Sequence, residues 1–172
     1  GFMMENTVYP GRKRRFGDRY DSFRIRKEDP FFAVIPHVMK NRTGSMVFFE
    51  EKVEITHLEQ FIRRMRRETG MKDLSTLHVV MAAAVRLIAL HPGLNRYVSG
   101  RKLYARNQIA LSIDVKNTMS EAGQDTAVKT LFSPADSLED IWRKIHTGIE
   151  EVKSSAQNNG TYRTAELLRR LP

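Results

Sequence analysis

Between Leu77 and Leu90 the chain carries only two polar residues, His78 and Arg86. A helix that is apolar around nearly its whole circumference is buried on several sides, either in a bilayer or in the core of a domain. Its unbroken apolar run, Val79 to Val85, is far shorter than the ~20 residues that a bilayer crossing needs. The segment is therefore predicted to be an internal post of a folded domain. Ser75 or Asp73 can cap its start by accepting backbone N–H bonds. Pro92 cannot continue a helix, and Gly93 suits the left-handed geometry that often follows one.

The elements around the post follow from periodicity and capping chemistry. Residues 1–28 are rich in Arg and lack regular spacing, so they are expected to form a basic extended arm packed over a neighbour, with the domain proper at 29–172. Asp29-Pro30 marks a helix start, and Pro36 should kink or interrupt that helix. From Ser45 to Ile55 the alternation of Met46, Phe48, Val53 and Ile55 predicts a strand with a bulge near Glu50-Glu51. Thr56 with Glu59 reads as a capping box, opening a helix that buries Leu58, Phe61, Ile62 and Met65 and turns its arginines outward.

Beyond Asn95 the pattern turns to strands. Ser99-Gly100-Arg101 joins a predicted hairpin. Ile109, Leu111, Ile113 and Val115 alternate with Ala110, Ser112 and Asp114, which gives one packed face and one small, polar face. That second face can line a cavity or meet solvent. A strand over Thr126–Phe132 follows, then a helix capped by Ser137 with Asp140, and a further amphipathic segment from Thr161. The expected fold class is α+β, a two-layer arrangement with one sheet of at least four strands packed by helices.

Composition removes several function classes. A net charge of +9 favours anionic partners, among them nucleic acid, acidic lipid and phosphorylated small molecules such as coenzyme A. The charge gathers in Arg12-Lys13-Arg14-Arg15 and in Arg63-Arg64 with Arg66-Arg67, where it also fits a basic arm and a solvated helix face. There is no zinc spacing, RNP-like aromatic motif or helix-turn-helix signature, so nucleic-acid binding is not expected. Nucleotide loops, a G-x-S-x-G elbow and metal-spaced clusters are absent from the sequence, and no metal is expected. Zero cysteines and no long apolar stretch are consistent with a cytoplasmic protein that does not enter the membrane.

The order of these pieces resembles the catalytic domain of the dihydrolipoamide acyltransferases of 2-oxoacid dehydrogenase complexes, a domain of the chloramphenicol acetyltransferase-like fold. The likeness covers roughly residues 30–153 and rests on Ile35 to Met39, Val53 to Phe61, Pro92-Gly93-Leu94-Asn95 after the Ala-rich helix, Ile109 to Val115, and Ser137 to Trp142. The resemblance implies a mixed sheet packed with helices, incomplete in this chain, and a homotrimer with active sites between subunits. It further implies transfer of an acyl group from a coenzyme A or lipoyl thioester to a thiol, hydroxyl or amine acceptor. The family's catalytic base lies in a late His-x-x-x-Asp-Gly motif. None of His37, His57, His78, His91 and His146 begins one, so no catalytic residue is assigned here. Val38 stands where the family has an Arg, and Ala82 where a Lys is common.

Four residues are candidates for a substrate channel. Asn95 can bond both backbone and ligand, or can simply close the turn after Pro92. Ser112 and Asp114 share the polar face of the central strand. His78 is either a channel group or a satisfied core imidazole. Arg86 is expected to pair with a carboxylate or reach a subunit boundary, since an unpaired buried charge is costly. His146 is expected to form a surface pair with Glu150. The competing function is a noncatalytic trimeric scaffold or ligand-binding relative of the same fold.

Overall fold

Strand β3 (Lys102–Arg106) has both of its edges occupied. In the computed structural model, which describes residues 7–27, 29–39, 41, 43–116 and 125–158, β2 (Arg96–Ser99) pairs antiparallel with one edge of β3. The other edge is taken by β1 (Ser22–Arg24), also antiparallel, which comes from the basic arm. The arm is laced further along the sheet. Val8 N–H donates to the Asn107 carbonyl at 2.8 Å, Asn107 N–H to the Asp21 carbonyl at 2.9 Å, and Arg106 pairs with Asp21 at 2.9 Å.

Its arginines are held by aromatic rings as much as by carboxylates. The Arg12 guanidinium sits 3.8 Å from the centre of the Phe23 ring, and Arg19 lies 4.8 Å from that of Tyr104. Such contacts are worth ~0.5–1 kcal/mol each where exposed. The buried Asp18 gathers the Arg12 guanidinium and the backbone N–H groups of Arg15 and Arg24. Of the first basic cluster, the Arg12 and Arg14 side chains are thus spent on folding the arm, both on Asp18.

Among the described residues, two antiparallel sheets replace the single sheet expected from the sequence. Because β1 and β2 fill the edges of β3, the chain leaves that sheet after Asn107 and Gln108. It then builds a separate pair, β4 (Ile109–Lys116) with β5 (Asp125–Phe132), in continuous antiparallel register. The overall class is α+β as expected. The strand predicted over Ser45–Ile55 does not form: a 3-10 turn at Thr43–Ser45 is followed by irregular chain, with Phe48 87% exposed. Alternation gives a side-chain pattern, but a strand also needs a ladder partner for its N–H and C=O groups, and among the described residues no strand pairs with this stretch.

Among the described residues, four α-helices accompany the sheets. In α1 (Pro30–Val38) Asp29 accepts the Phe31 N–H at 2.9 Å, and the helix runs through Pro36 for two more residues rather than breaking there. Helix α2 (Thr56–Glu68) buries Ile62, as its stripe predicts. Its expected capping box is absent. Thr56 is already helical and donates its N–H to Glu54 Oε1 at 3.0 Å, while Glu59 pairs with Arg63. The Ser137–Asp140 cap is present at the head of α4 (Leu138–Asn158). The segment from Thr161 lies outside the described residues.

Helix α3 (Thr76–Leu90) sends Met81 and Val85 into a core shared with Ile109, Phe132, Ile141 and Ile145. The expectation of burial on several sides is corrected. Leu77, Val80, Leu87 and Leu90 are exposed, because β4, β5 and α4 all contribute to the core on the Met81–Val85 face. Arg86 is exposed too and makes no ion pair among the described residues, so its charge stays hydrated and needs no carboxylate. As expected, α3 leads straight into strands, through a 3-10 turn at Pro92–Asn95.

Candidate functional site

Asn95 closes that turn and is half-buried. Its Nδ2 donates to the Gln108 carbonyl at 2.9 Å, tying the end of α3 to the residue immediately before β4. The side-chain amide oxygen makes no hydrogen bond among the described residues. Along β4 the pleat sends Ile109, Leu111 and Ile113 towards the helices and leaves Ser112 and Asp114 on the exposed face. Lys129 of β5 lies directly across from Ser112, and Ala127 across from Asp114. Ser112 is four residues beyond Gln108, roughly 13 Å along the strand. These three candidates therefore occupy one end and one open face of the same two-stranded sheet, and solvent meets that face in this chain.

His78 belongs elsewhere. Buried at the head of α3, its Nδ1 accepts the Ser75 backbone N–H at 3.1 Å and lies 2.9 Å from Ser75 Oγ. Burial pushes its pKa below the ordinary imidazole value. The charge of Asp73 pulls the other way, and that of His146 adds to the lowering. A neutral ring with Nδ1 spent on the helix start is a structural imidazole, serving where a Glu or Gln usually sits in a capping box.

One constellation escaped the sequence reading. His146 does not pair with Glu150, which meets Lys153 instead. Its Nδ1 lies 3.1 Å from Asp73 Oδ2, and Trp142 stacks on the imidazole with ring centres 5.5 Å apart. Trp142 Nε1 donates to Asp73 Oδ1 at 2.7 Å. Burial would raise the Asp73 carboxyl, but the hydrogen bonds from Trp142, from its own backbone N–H and from His146, together with the charge of His146, hold it below the usual carboxylate value. A carboxylate on Nδ1 leaves Nε2 as a proton acceptor, which is the orientation a general base uses. Asp73 stands 69 and 73 residues before Trp142 and His146, so no local motif could signal that it meets them. Helical spacing along α4 brings Trp142 and Glu150 beside His146, and neither position points to Asp73.

Val38 ends α1 on its exposed side, and Ala82 packs half-buried against the core. Among the described residues no group of three or more His, Asp or Glu side chains is placed to hold a metal. No described helix is long and apolar enough to cross a membrane. Family models, curated proteins and solved structures were compared with the chain, and none matches it.

Proposed function

We propose that this chain is an acyltransferase-like domain that handles a coenzyme A or lipoyl thioester as a homotrimer. The supporting observation is the bond between Asn95 and the Gln108 carbonyl. It fixes the turn that ends α3 against the start of β4, which matches the succession of post, turn and central strand in the family that the sequence resembles. The open Ser112–Asp114 face is where an acyl acceptor would lie once a neighbouring subunit covers it. Apolar side chains left outward on α3 are the surface such a neighbour would bury. A cytoplasmic location, resting on the absence of cysteine, belongs to the same reading.

The test is thiol release from acetyl-coenzyme A, with dihydrolipoamide as acceptor, by the purified full chain, together with its mass in solution by light scattering. Turnover by a trimer that Asn95→Ala slows supports the reading. A monomer that neither binds nor turns over the thioester refutes it.

A second reading, a noncatalytic relative of the same fold, is favoured by the bonding of His78. Its acceptor nitrogen is occupied by Ser75, so the one buried imidazole cannot serve as a base. Binding of coenzyme A by a trimer without turnover would select this version.

A further inference from the structure

Away from the Asn95–β4 region, α1 crosses the turn end of the β2–β3 hairpin and encloses a cavity of ≈ 390 Å³. The volume falls within the range of small-molecule sites, ~300–1,000 Å³. Four cations line it, Arg24, Arg26, Arg101 and Lys102, and among the described residues no carboxylate does. Phe32 and Pro36 of α1 provide an apolar wall. Asn95 precedes the opposite end of β2, roughly 13 Å away along the strand, so this cavity is not the acyl-transfer face.

The cations here are not consumed by the fold, unlike Arg12 and Arg106. Arg24, Arg101 and Lys102 make no side-chain hydrogen bond or ion pair among the described residues, and Arg26 bonds only the Phe16 carbonyl. Gathering four positive charges around one cavity with no counter-charge among its described lining residues opposes folding through mutual repulsion, and a bound anion relieves it. The backbone points the same way. Gly100 and Arg101 both have positive φ, +55° and +58°, as the two central residues of a tight hairpin turn require. Gly or Asn adopts that conformation most readily at the second position, whereas Arg is strained there. The chain thus keeps a long cation at a position where folding alone favours a smaller residue.

We propose that this cavity binds an organic phosphate carrying a planar aromatic group, of the nucleoside diphosphate class. Guanidinium forks hold phosphate oxygens bidentately, and four cations suit a diphosphate better than a single carboxylate. Phe32, 52% exposed beside Pro36, offers a face on which a base can stack. A concave site with an apolar wall fits a small ligand better than the broad, convex backbone of a nucleic-acid duplex. The assignment does not depend on the acyltransferase reading.

Calorimetric titration of the full chain with ADP at low salt tests it, with pyrophosphate, adenosine and a random DNA duplex as parallel probes. Binding of ADP should weaken about ten-fold in each of Arg101→Asn and Lys102→Ala, the loss expected for one hydrogen bond to a charged group. Arg101→Asn should also raise the melting temperature by relieving the turn, which separates loss of binding from loss of fold. Phe32→Ala should weaken ADP and leave pyrophosphate unchanged. The α2 control Arg63→Ala/Arg67→Ala should leave ADP binding as it was.

Several results would overturn the proposal. They are no heat with ADP, equal loss in the α2 control, pyrophosphate binding with no added contribution from the nucleoside, or tighter binding of duplex DNA through the same two residues.

Discussion

Trp142 Nε1 donates to Asp73 Oδ1 at 2.7 Å, joining the first turns of α4 to the loop that leads into α3. The same carboxylate receives His146, so one side chain anchors two stacked rings. Asp73→Ala removes both acceptors. Because the pair is half-exposed, the expected cost is at the low end for hydrogen bonds, about 0.5–1 kcal/mol. Trp142 is the single tryptophan, so its fluorescence reports the event directly. Urea titration should show the loss of stability and a red-shifted native emission. An unchanged emission maximum would mean that the contact does not form in solution.

His78 predicts how stability responds to mild acid. Its folded-state pKa is lowered, chiefly by burial, so the unfolded chain binds the proton first. Stability should therefore fall as pH drops below the unfolded value of about 6.5 and continue to fall until the lowered folded pKa is passed. Asp73 and His146 face the same ring and shape the transition. His78→Gln keeps an acceptor for the Ser75 N–H and removes the proton. Urea unfolding at pH 7.5 and 5.5 should show a smaller pH difference in this variant than in the parent, and equal differences would contradict the assignment.

Asp18 carries the arm. Burial would raise its carboxyl pKa, yet the Arg12 guanidinium, the N–H groups of Arg15 and Arg24 and the Arg12 charge keep it below the ordinary value. A depressed carboxyl contributes stability above the unfolded pKa of about 3.9, and that contribution is lost as pH falls through the folded value. Asp18→Ala strands several donors at once and should cost about 2–4 kcal/mol. Trypsin should then cut within residues 12–15 much faster than in the parent, whereas matching digestion rates would refute the role given to Asp18.

Two neighbours on α3 should respond very differently to truncation. Val85 is 1% exposed in the core and Leu87 51% exposed on the outer face. Val85→Ala should cost about 1–3 kcal/mol through lost burial and a residual cavity. Leu87→Ala should stay within about 0.5 kcal/mol in the monomer. Guanidinium titrations of both variants at a concentration below any self-association check this, and comparable losses would show that the outer face is packed.

Gly148 lets α4 lie close against β5. A Cβ there would meet Val128 Cγ1 at 3.0 Å, on a side chain that is itself buried. Alanine would gain about 1 kcal/mol in helix propensity, while overpacking costs about 1–3 kcal/mol. Gly148→Ala is therefore expected to destabilise the chain by about 1 kcal/mol net. Adding Val128→Ala should show favourable coupling in a double-mutant cycle, and strictly additive effects would place the helix farther from the strand.

The sequence by itself determined most of the local structure. Apolar spacing located α2, α3 and α4, caps marked the starts of α3 and α4, and alternation located β4, because these signals depend on residues a few positions apart. They also gave Ser75 as a candidate cap for α3 and Asn95 as a residue that can close the turn after Pro92. Only the tertiary structure decided which edges pair and which side chains meet across long separations. The arm claimed the free edge of β3, so the strands divided into two sheets, and Met46–Ile55 kept its alternation without a ladder. Asp73 met Trp142 and His146, and Arg24, Arg26, Arg101 and Lys102 converged on one cavity. Periodicity tells a residue which way to face, but hydrogen-bonded ladders and charge clusters are made between distant segments, and their partners are fixed only when the chain closes on itself.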